Sequence, residues 1–278
     1  MTRPSKYRLA FIAVGLLIYA GVYFGAECLL YHNGRNNPLF KIATADTKAF
    51  DWLVLGASHA MPLDFGDFNA QMQDATGLKI INLASPGTGP LYNRFVLEAF
   101  LRDHSVRNVL YVTDSFAFYS REWNEDRFSD AKLLRTTPLA RITTELLWQY
   151  CRREDVDLRA LLDYLTGFSK INNRERFQRD VWEGELQFDR VYRSSMSAIR
   201  GRISYLFPNS NREAALLRYM KEFEKLLDAA RLQNVHLTVM KMPTPAAFRA
   251  ALPSEPAFDD ALRRALASRG IGLLDLSG

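Results

Sequence analysis

Along the chain, short apolar runs alternate with segments in which apolar residues recur at helical spacing. Five runs predict strands, at residues 50–55, 78–84, 108–114, 235–243 and 271–278. The helical patterns between them cover residues 90–103, a long segment that begins near Asn211, and residues 258–268. Near-continuous apolar strands separated by amphipathic helices are typical of a parallel sheet covered on both faces. The pattern therefore predicts an α/β protein, with a three-layer α/β/α domain over residues 50–278.

A different pattern precedes this domain. Residues 9–26 are free of charged side chains, and the apolar character resumes at Cys28 after Glu27. At about 1.5 Å per residue, such a helix crosses a hydrocarbon core of roughly 30 Å. Basic residues precede it and predict a cytoplasmic N-terminus. Residues 1–31 are therefore predicted to form a single-pass anchor in the cell membrane, with the C-terminal domain periplasmic or extracellular.

The alternatives for the N-terminal segment are a cleaved signal peptide and a buried core helix. The apolar stretch is long for a signal peptide, and no small-x-small cleavage site follows it. Glu27 directly before Cys28 argues against lipoprotein processing. A core helix is disfavoured because no polar face interrupts the run.

The third and fourth predicted strands are separated by a long insertion, residues 117–210, with a mostly helical pattern. It contains Trp123, Trp148 and Trp182. Insertions at the carboxyl ends of strands in open α/β sheets lie beside the usual ligand crevice. The insertion is either a cap that stacks aromatic rings on a substrate such as a sugar, or a unit whose aromatic residues pack its own small core. We favour the second interpretation for each tryptophan.

Charge and composition exclude several classes of function. The chain has 36 basic and 31 acidic residues, a net charge of +5 that is spread along the sequence. A nucleic-acid-binding protein would concentrate its positive charge on one stripe. Two cysteines do not make a disulfide framework, and the four histidines lack metal-ligand spacing. With no Walker loop and no Gly-x-Gly-x-x-Gly, the sequence predicts no nucleic-acid partner, no metal and no cofactor.

Candidate chemistry appears where the first strand ends, in Gly56-Ala57-Ser58-His59. Glycine permits a sharp turn there, and a residue just past a parallel strand stands at the ligand crevice. A serine hydroxyl acts as a nucleophile only when a base activates it and N–H donors hold the oxyanion. Ser58 is therefore a candidate nucleophile; the alternative is a small residue tolerated in a tight turn, capping the next helix.

These motifs resemble those of the SGNH (GDSL-like) hydrolases. Gly56-Ala57-Ser58 matches the Gly-x-Ser turn of their first block, and Asn82 with Gly87 matches the spacing of their second. The resemblance implies a flavodoxin-like five-stranded sheet, Ser58 as the nucleophile, and the backbone N–H groups of Ser58 and Gly87 as oxyanion donors. His59, Asn82 and Gly89 are further candidates, for substrate binding.

The sequence departs from the family pattern in two blocks. The third block, normally Gly-x-Asn-Asp, reads Thr113-Asp114-Ser115 here, so Ser115 or Asp114 is a candidate for the second oxyanion donor. The last block, Asp-x-x-His, is absent, and Asp275 comes too early to be its acid. Either the chain is a fragment whose following residues carry that block, which we favour, or the triad is incomplete. His59 is not expected to be the base, because adjacent side chains diverge.

The combination of an anchor with an exported domain is similar to the branch of this family that includes the D-alanyl-lipoteichoic-acid transfer and alginate O-acetylation proteins. The resemblance implies work beside a membrane-bound O-acyltransferase on a surface polysaccharide. We therefore expect a membrane-anchored, exported serine esterase or O-acyltransferase. The alternatives are a catalytically incomplete scaffold or binding subunit of an envelope polymer-modification complex, and a secreted esterase that acts on small esters without a partner.

Overall fold

The computed structural model describes residues 3–33, 37–129, 131–177, 195–208 and 212–277. The strands are β1 (Ala49–Gly56), β2 (Ile80–Asn82), β3 (Ser105–Val112), β4 (His236–Lys241) and β5 (Leu273–Asp275). The α-helices are α1 (Arg3–Asn33), α2 (Pro38–Thr44), α3 (Phe68–Thr76), α4 (Pro90–Leu101), α5 (Glu125–Phe128), α6 (Ala131–Leu134), α7 (Arg141–Arg153), α8 (Leu158–Thr166), α9 (Phe168–Ile171), α10 (Met196–Leu206), α11 (Arg212–Leu232), α12 (Ala246–Arg249) and α13 (Glu255–Ala267). Within these residues, three 3₁₀ helices cover Ser58–Asp67, Ser115–Phe118 and Arg121–Trp123.

All five strands are parallel and lie in the order β2-β1-β3-β4-β5, which confirms the predicted fold class. This is the flavodoxin-like order. Leu53 pairs with Val109, and Val109 with Leu237, so the apolar centres of the three middle strands lie side by side. The predicted second and fifth strands are longer than those observed. The third begins at Ser105, earlier than predicted, because its N–H donates to the Lys48 carbonyl.

Helices cover both faces of the sheet. Alternate residues such as Leu53 and Leu55 face the larger core, which includes buried side chains of α4, α11 and α13. Their neighbour Val54 faces a smaller core on the opposite side, which Ala60 and Met61 of the first 3₁₀ helix close. The period of two along each strand thus divides the apolar side chains between the layers.

The insertion between β3 and β4 is helical in its described part, as predicted, and contains α5 to α10. Trp123 is buried and packs edge-on against Phe116 and Tyr205. Trp148 is exposed and lies beside Arg152. Trp182 and the predicted helix start at Asn211 lie outside the described residues. Trp123 thus packs in the larger core of the domain, whereas the second interpretation of the insertion expects a separate small core.

α1 is long and apolar enough to cross a membrane over residues 6–32, a property judged from length and composition. Most of its side chains are exposed, and its second half packs against the rest of the protein. Tyr23, Ala26 and Leu30 are buried there. The first half of α1 is thus apolar and exposed, and its second half packs against other described residues of the protein.

Candidate active-site cavity

A cavity of about 640 Å³ opens at the carboxyl ends of β1, β3, β4 and β5. Its floor consists of the residues that follow these strands, including Ser58, Thr113 and Lys241. α10 of the insertion and α12 supply the walls. This is the edge at which ligands bind in open parallel sheets.

The turn that follows β1 requires a glycine. Gly56 has φ +144°, and a Cβ there would lie 2.5 Å from the Val112 carbonyl oxygen, so β1 and β3 approach each other too closely for a side chain. The Gly56 N–H donates to Oδ1 of Asn93 at 3.0 Å, and the Thr88 hydroxyl donates to the Gly56 carbonyl at 3.0 Å. The loop after β2 and the start of α4 thus fix the position from which Ser58 enters the cavity.

His59 and Asp114 form a close pair at the edge of the cavity. Nδ1 of His59 donates to Oδ1 of Asp114 at 2.6 Å, across 55 positions of sequence. The Asp114 side chain is 13% exposed and that of His59 is 47% exposed. The charge and hydrogen bond of Asp114 raise the pKa of His59, against the opposing effects of burial and of the Arg202 charge. Because Nδ1 is engaged, Nε2 is the ring nitrogen available for proton transfer.

Ser58 lies at the start of the first 3₁₀ helix and is half-buried in the cavity lining. Within the described part of the chain, no hydrogen bond engages its hydroxyl. Ser58, His59, Asp114 and Ser115 all line the cavity, so the structure brings together four of the predicted site residues. The sequence does not predict the pairing of His59 with Asp114, because the two residues are 55 positions apart and no local pattern joins them.

Two oxygens at this edge are buried without a hydrogen-bond partner among the described residues, Oγ1 of Thr113 and Oδ2 of Asp114. Buried polar atoms normally have partners, so such atoms at a cavity mark a place for water or ligand. The sequence pointed to Asp114 but missed Thr113. Its position directly after β3 was the signal that could have found it.

The cavity also holds three basic side chains, Lys241, Arg202 and Arg249. Lys241 is buried, and its ammonium donates to Glu255 at 2.9 Å and to Asp259 at 2.6 Å. Burial disfavours the charged Lys241, but these hydrogen bonds outweigh it and raise its pKa. Arg249 donates to the Ser277 carbonyl at 2.5 Å, whereas Arg202 is exposed on α10.

Sequence reasoning missed all three basic residues. Lys241 is the last residue of β4, and this position at a strand end could have predicted it. No local sequence pattern predicts that Arg202 or Arg249 lines the cavity. Lys241 with Glu255 and Asp259 carries a formal charge of −1, so the two arginines bring the formal charge of this part of the cavity to +1.

Asn82, Gly87 and Gly89 do not belong to the described lining of the cavity. Asn82 is buried and donates to the Ala60 carbonyl at 2.8 Å, which ties β2 to the helix that begins at Ser58. A Cβ on Gly87 would lie 2.8 Å from the Trp123 ring, and one on Gly89 would meet the Asn124 side chain. These contacts hold the loop after β2 in place; the substrate and oxyanion roles of the three residues stay predictions.

Fold and site together define an α/β protein with a cavity at the carboxyl edge of a parallel sheet, lined in part by a serine and a histidine–aspartate pair. No family model matches the chain, and no curated protein matches it at a significant level. Among the described residues, no group of three or more His, Cys, Asp or Glu side chains is placed to hold a metal ion.

Proposed function

We propose that this protein is a membrane-anchored, exported serine esterase or O-acyltransferase of the SGNH-like type that acts on a cell-surface polysaccharide or related polymer. The observation that carries the proposal is the convergence of Ser58 and the His59–Asp114 pair on one cavity. An acyl-transfer site needs a nucleophile, a base and an acid that orients the base, and all three residue types are present.

His59 is the base in the proposed reaction, although its place next to Ser58 in the sequence did not favour that role; its pairing with Asp114 supports it. The Ser58 hydroxyl attacks the ester carbonyl carbon while Nε2 of His59 takes its proton, a step that needs the two side chains to come within hydrogen-bond reach when the substrate is bound. Asp114 holds the imidazole in one tautomer and stabilises the imidazolium. The departing alcohol receives the proton from His59, leaving an acyl-serine. A polymer hydroxyl or water then gives its proton to His59 and takes the acyl group, and His59 returns that proton to the released Ser58 oxygen. The unpartnered Thr113 hydroxyl is a candidate donor to the oxyanion, together with Ser115.

Location follows from α1. Lys6 and Arg8 precede its apolar stretch, which favours a cytoplasmic N-terminus and an exported domain. An enzyme held at the outer face of a membrane is suited to a surface polymer, and a membrane-bound O-acyltransferase is the partner that would supply activated acyl groups.

A second candidate is a non-enzymatic scaffold or binding subunit of an envelope polymer-modification complex. Two observations favour it: the third-block asparagine is replaced, and the Ser58 hydroxyl lacks a hydrogen bond to any described residue. Under this hypothesis the cavity binds an acylated polymer without cleaving it.

The deciding experiment uses the full chain in a mild detergent with a chromogenic acetyl ester and a fluorophosphonate probe. Ser58→Ala is expected to abolish labelling and turnover, and His59→Gln to lower kcat about 10²–10⁴-fold. Ser105→Ala, an exposed serine at the amino end of β3, is the matched control and should behave like the parent.

Three other results would each point elsewhere. Turnover that survives Ser58→Ala but not His59→Gln would mean that His59 activates water or the acceptor directly, and the nucleophile proposal would be lost. Turnover that survives both substitutions would place the reaction at another site. A folded parent protein that is neither labelled nor active, yet binds acylated polymer, would support the scaffold.

A further inference from the structure

α8 and α9 carry an apolar face that the rest of the described chain leaves uncovered. Leu158, Leu162, Leu165 and Phe168 are 48%, 53%, 46% and 63% exposed. In α8 the leucines recur at intervals of four and three, so they lie on one side of the helix. Contiguous exposed apolar side chains mark an interaction surface, whereas scattered ones need no explanation.

The same segment is where α1 docks. The Tyr19 hydroxyl donates to the Thr166 carbonyl at 2.8 Å, at the end of α8. The Tyr23 ring lies directly on Gly167, where a Cβ would come within 2.1 Å of it. Glu27 forms an ion pair with Lys170 of α9, whose side chain is only 2% exposed. The apolar face thus lies on two helices that contact α1, which is itself apolar enough to cross a membrane.

The position of these contacts along α1 sets their depth in a bilayer. We expect Lys6 and Arg8 to stay in the headgroup region. Tyr19 lies roughly 15 Å along the helix from Leu9, near the middle of a hydrocarbon core roughly 30 Å thick. Because the Thr166 carbonyl accepts a hydrogen bond from Tyr19, the end of α8 lies at the same depth, within the hydrocarbon core of the bilayer.

Polar groups at the end of α8 and in α9 have partners within the protein. The Asp163 carboxylate accepts a hydrogen bond from the Ser169 N–H at 2.9 Å. The Thr166 carbonyl is satisfied by Tyr19, and the Lys170 ammonium is neutralised by Glu27 beneath the rings of Tyr23 and Tyr164. Backbone and charged groups are tolerated inside a membrane only when they are paired in this way. Arg159 is exposed, but it stands at the opposite end of α8, where it can reach the headgroups.

We infer that the face formed by Leu158, Leu162, Leu165 and Phe168 is embedded in the outward-facing leaflet, beside α1, with lipid acyl chains as its occupant. The inference rests on the membrane anchoring that is part of the proposed function. The embedded face is a second membrane contact beside α1. The two contacts together hold the exported domain in one orientation, with its cavity at a fixed height above the bilayer.

The test places an environment-sensitive nitrobenzoxadiazole label on single cysteines of the full chain, with Cys28 and Cys151 replaced by serine. The labelled sites are Leu162→Cys and Phe168→Cys in the face, Val14→Cys in the free half of α1, and Leu232→Cys. Leu232 is the matched control, since it is 78% exposed at the end of α11. The proteins are placed in phosphatidylcholine–phosphatidylglycerol nanodiscs, with or without lipids spin-labelled on the acyl chain, after a check that each melts like the parent.

The expected result is blue-shifted emission, strongly quenched by the spin-labelled lipids, at Leu162, Phe168 and Val14, and unquenched emission at Leu232. If Val14 is quenched but Leu162 and Phe168 behave like Leu232, embedding is wrong while the anchor stands, and the face is left for a protein partner. If Val14 is also unquenched, the anchor itself fails, and the inference fails with it.

Discussion

His59 holds its proton more tightly than a free imidazole because Asp114 accepts its Nδ1–H at 2.6 Å. A base with a raised pKa takes a proton from a hydroxyl more readily, but it is neutral only at a higher pH. In the proposed reaction, Asp114 therefore makes His59 a stronger base but restricts the neutral form of His59 to higher pH.

Replacing Asp114 by asparagine should therefore change the pH profile of ester turnover. In the proposed reaction His59 must be neutral to act, so we expect the parent to lose activity as pH falls through the raised pKa of His59. Asp114→Asn removes the negative charge, lowers that pKa and moves the acid limb of kcat/KM to lower pH. We also expect a drop of about 10²–10⁴-fold in the plateau rate, because the tautomer is no longer fixed.

The measurement is kcat/KM against pH, together with an NMR titration of the His59 ring protons. Asp64→Asn is the control, because that carboxylate pairs with Lys41 and not with His59. An acid limb that stays in place in Asp114→Asn would show that His59 does not set it.

Gly56 gives a prediction about stability at the same turn. In Gly56→Ala the new Cβ would lie 2.5 Å from the Val112 carbonyl oxygen, at a backbone angle that L-residues rarely adopt. Strain and overpacking should together cost about 3 kcal/mol of unfolding free energy. Gly77→Ala is the matched control: it also has positive φ, but nothing lies within 4 Å, so we expect about 1 kcal/mol. Urea unfolding in detergent compares the two, and equal losses would refute the close contact.

At the scale of elements, a buried charge cluster joins three helices. Arg94 of α4 bonds Glu154 just after α7 at 2.6 Å and approaches Glu222 of α11 at 3.3 Å. Its guanidinium also lies over the Tyr150 ring of α7, 4.8 Å from the ring centroid. Lys225 donates to both carboxylates from the outside. The cluster fixes the insertion against the helices that cover the sheet.

Replacing Arg94 by methionine keeps much of the side chain's bulk but leaves the two carboxylates short of a cation. The expected loss is about 3–5 kcal/mol of unfolding free energy, since breaking a buried pair leaves uncompensated charge. Arg107→Met serves for comparison, because Arg107 pairs with Asp51 at the surface with 81% of its side chain exposed, and such pairs contribute roughly 0–1 kcal/mol. Similar losses in the two variants, measured by chemical unfolding, would mean that the Arg94 cluster does not join the helices.

The sequence was most informative about which segments form strands and helices. The five strands and the helices between them were predictable because burial on both faces leaves apolar runs that are visible locally. Strand ends were less accurate: β3 gains Ser105 through a bond to Lys48, a contact between distant segments.

The candidate site was predictable only where it sits on strand ends. Ser58, Asp114 and Ser115 follow β1 and β3 directly, and parallel strands bring their carboxyl ends to one edge. The His59–Asp114 pair and the approach of Arg202 depend on tertiary packing, which local sequence does not reveal. Trp123 illustrates the same limit. Its ring packs against Phe116, which is near in the sequence, and Tyr205, which is distant.

At the scale of the whole molecule, α1 is joined to the domain by a specific ion pair and does not merely precede it. Glu27 pairs with Lys170 and also accepts from the Leu139 N–H at 3.2 Å. The Lys170 side chain is 2% exposed, and that of Glu27 is 13% exposed. A flexible tether would not form a buried ion pair with the domain, so the pair indicates that the second half of α1 has a fixed position against it.

The pair therefore predicts a specific double-mutant cycle in the full chain. Glu27→Ala leaves the Lys170 ammonium buried and unpaired, and Lys170→Met leaves the Glu27 carboxylate unpaired. Each is expected to cost about 3–5 kcal/mol. The double variant leaves no orphan charge, so it should cost clearly less than the sum of the single losses, with a coupling of about 1–3 kcal/mol. Thermal and chemical unfolding in nanodiscs measure these values, and Glu145→Ala, an exposed carboxylate on α7 that pairs with Arg141, is the neutral control. If both single variants were as stable as the control, the ion pair would not fix α1 against the domain, and α1 would be a tether.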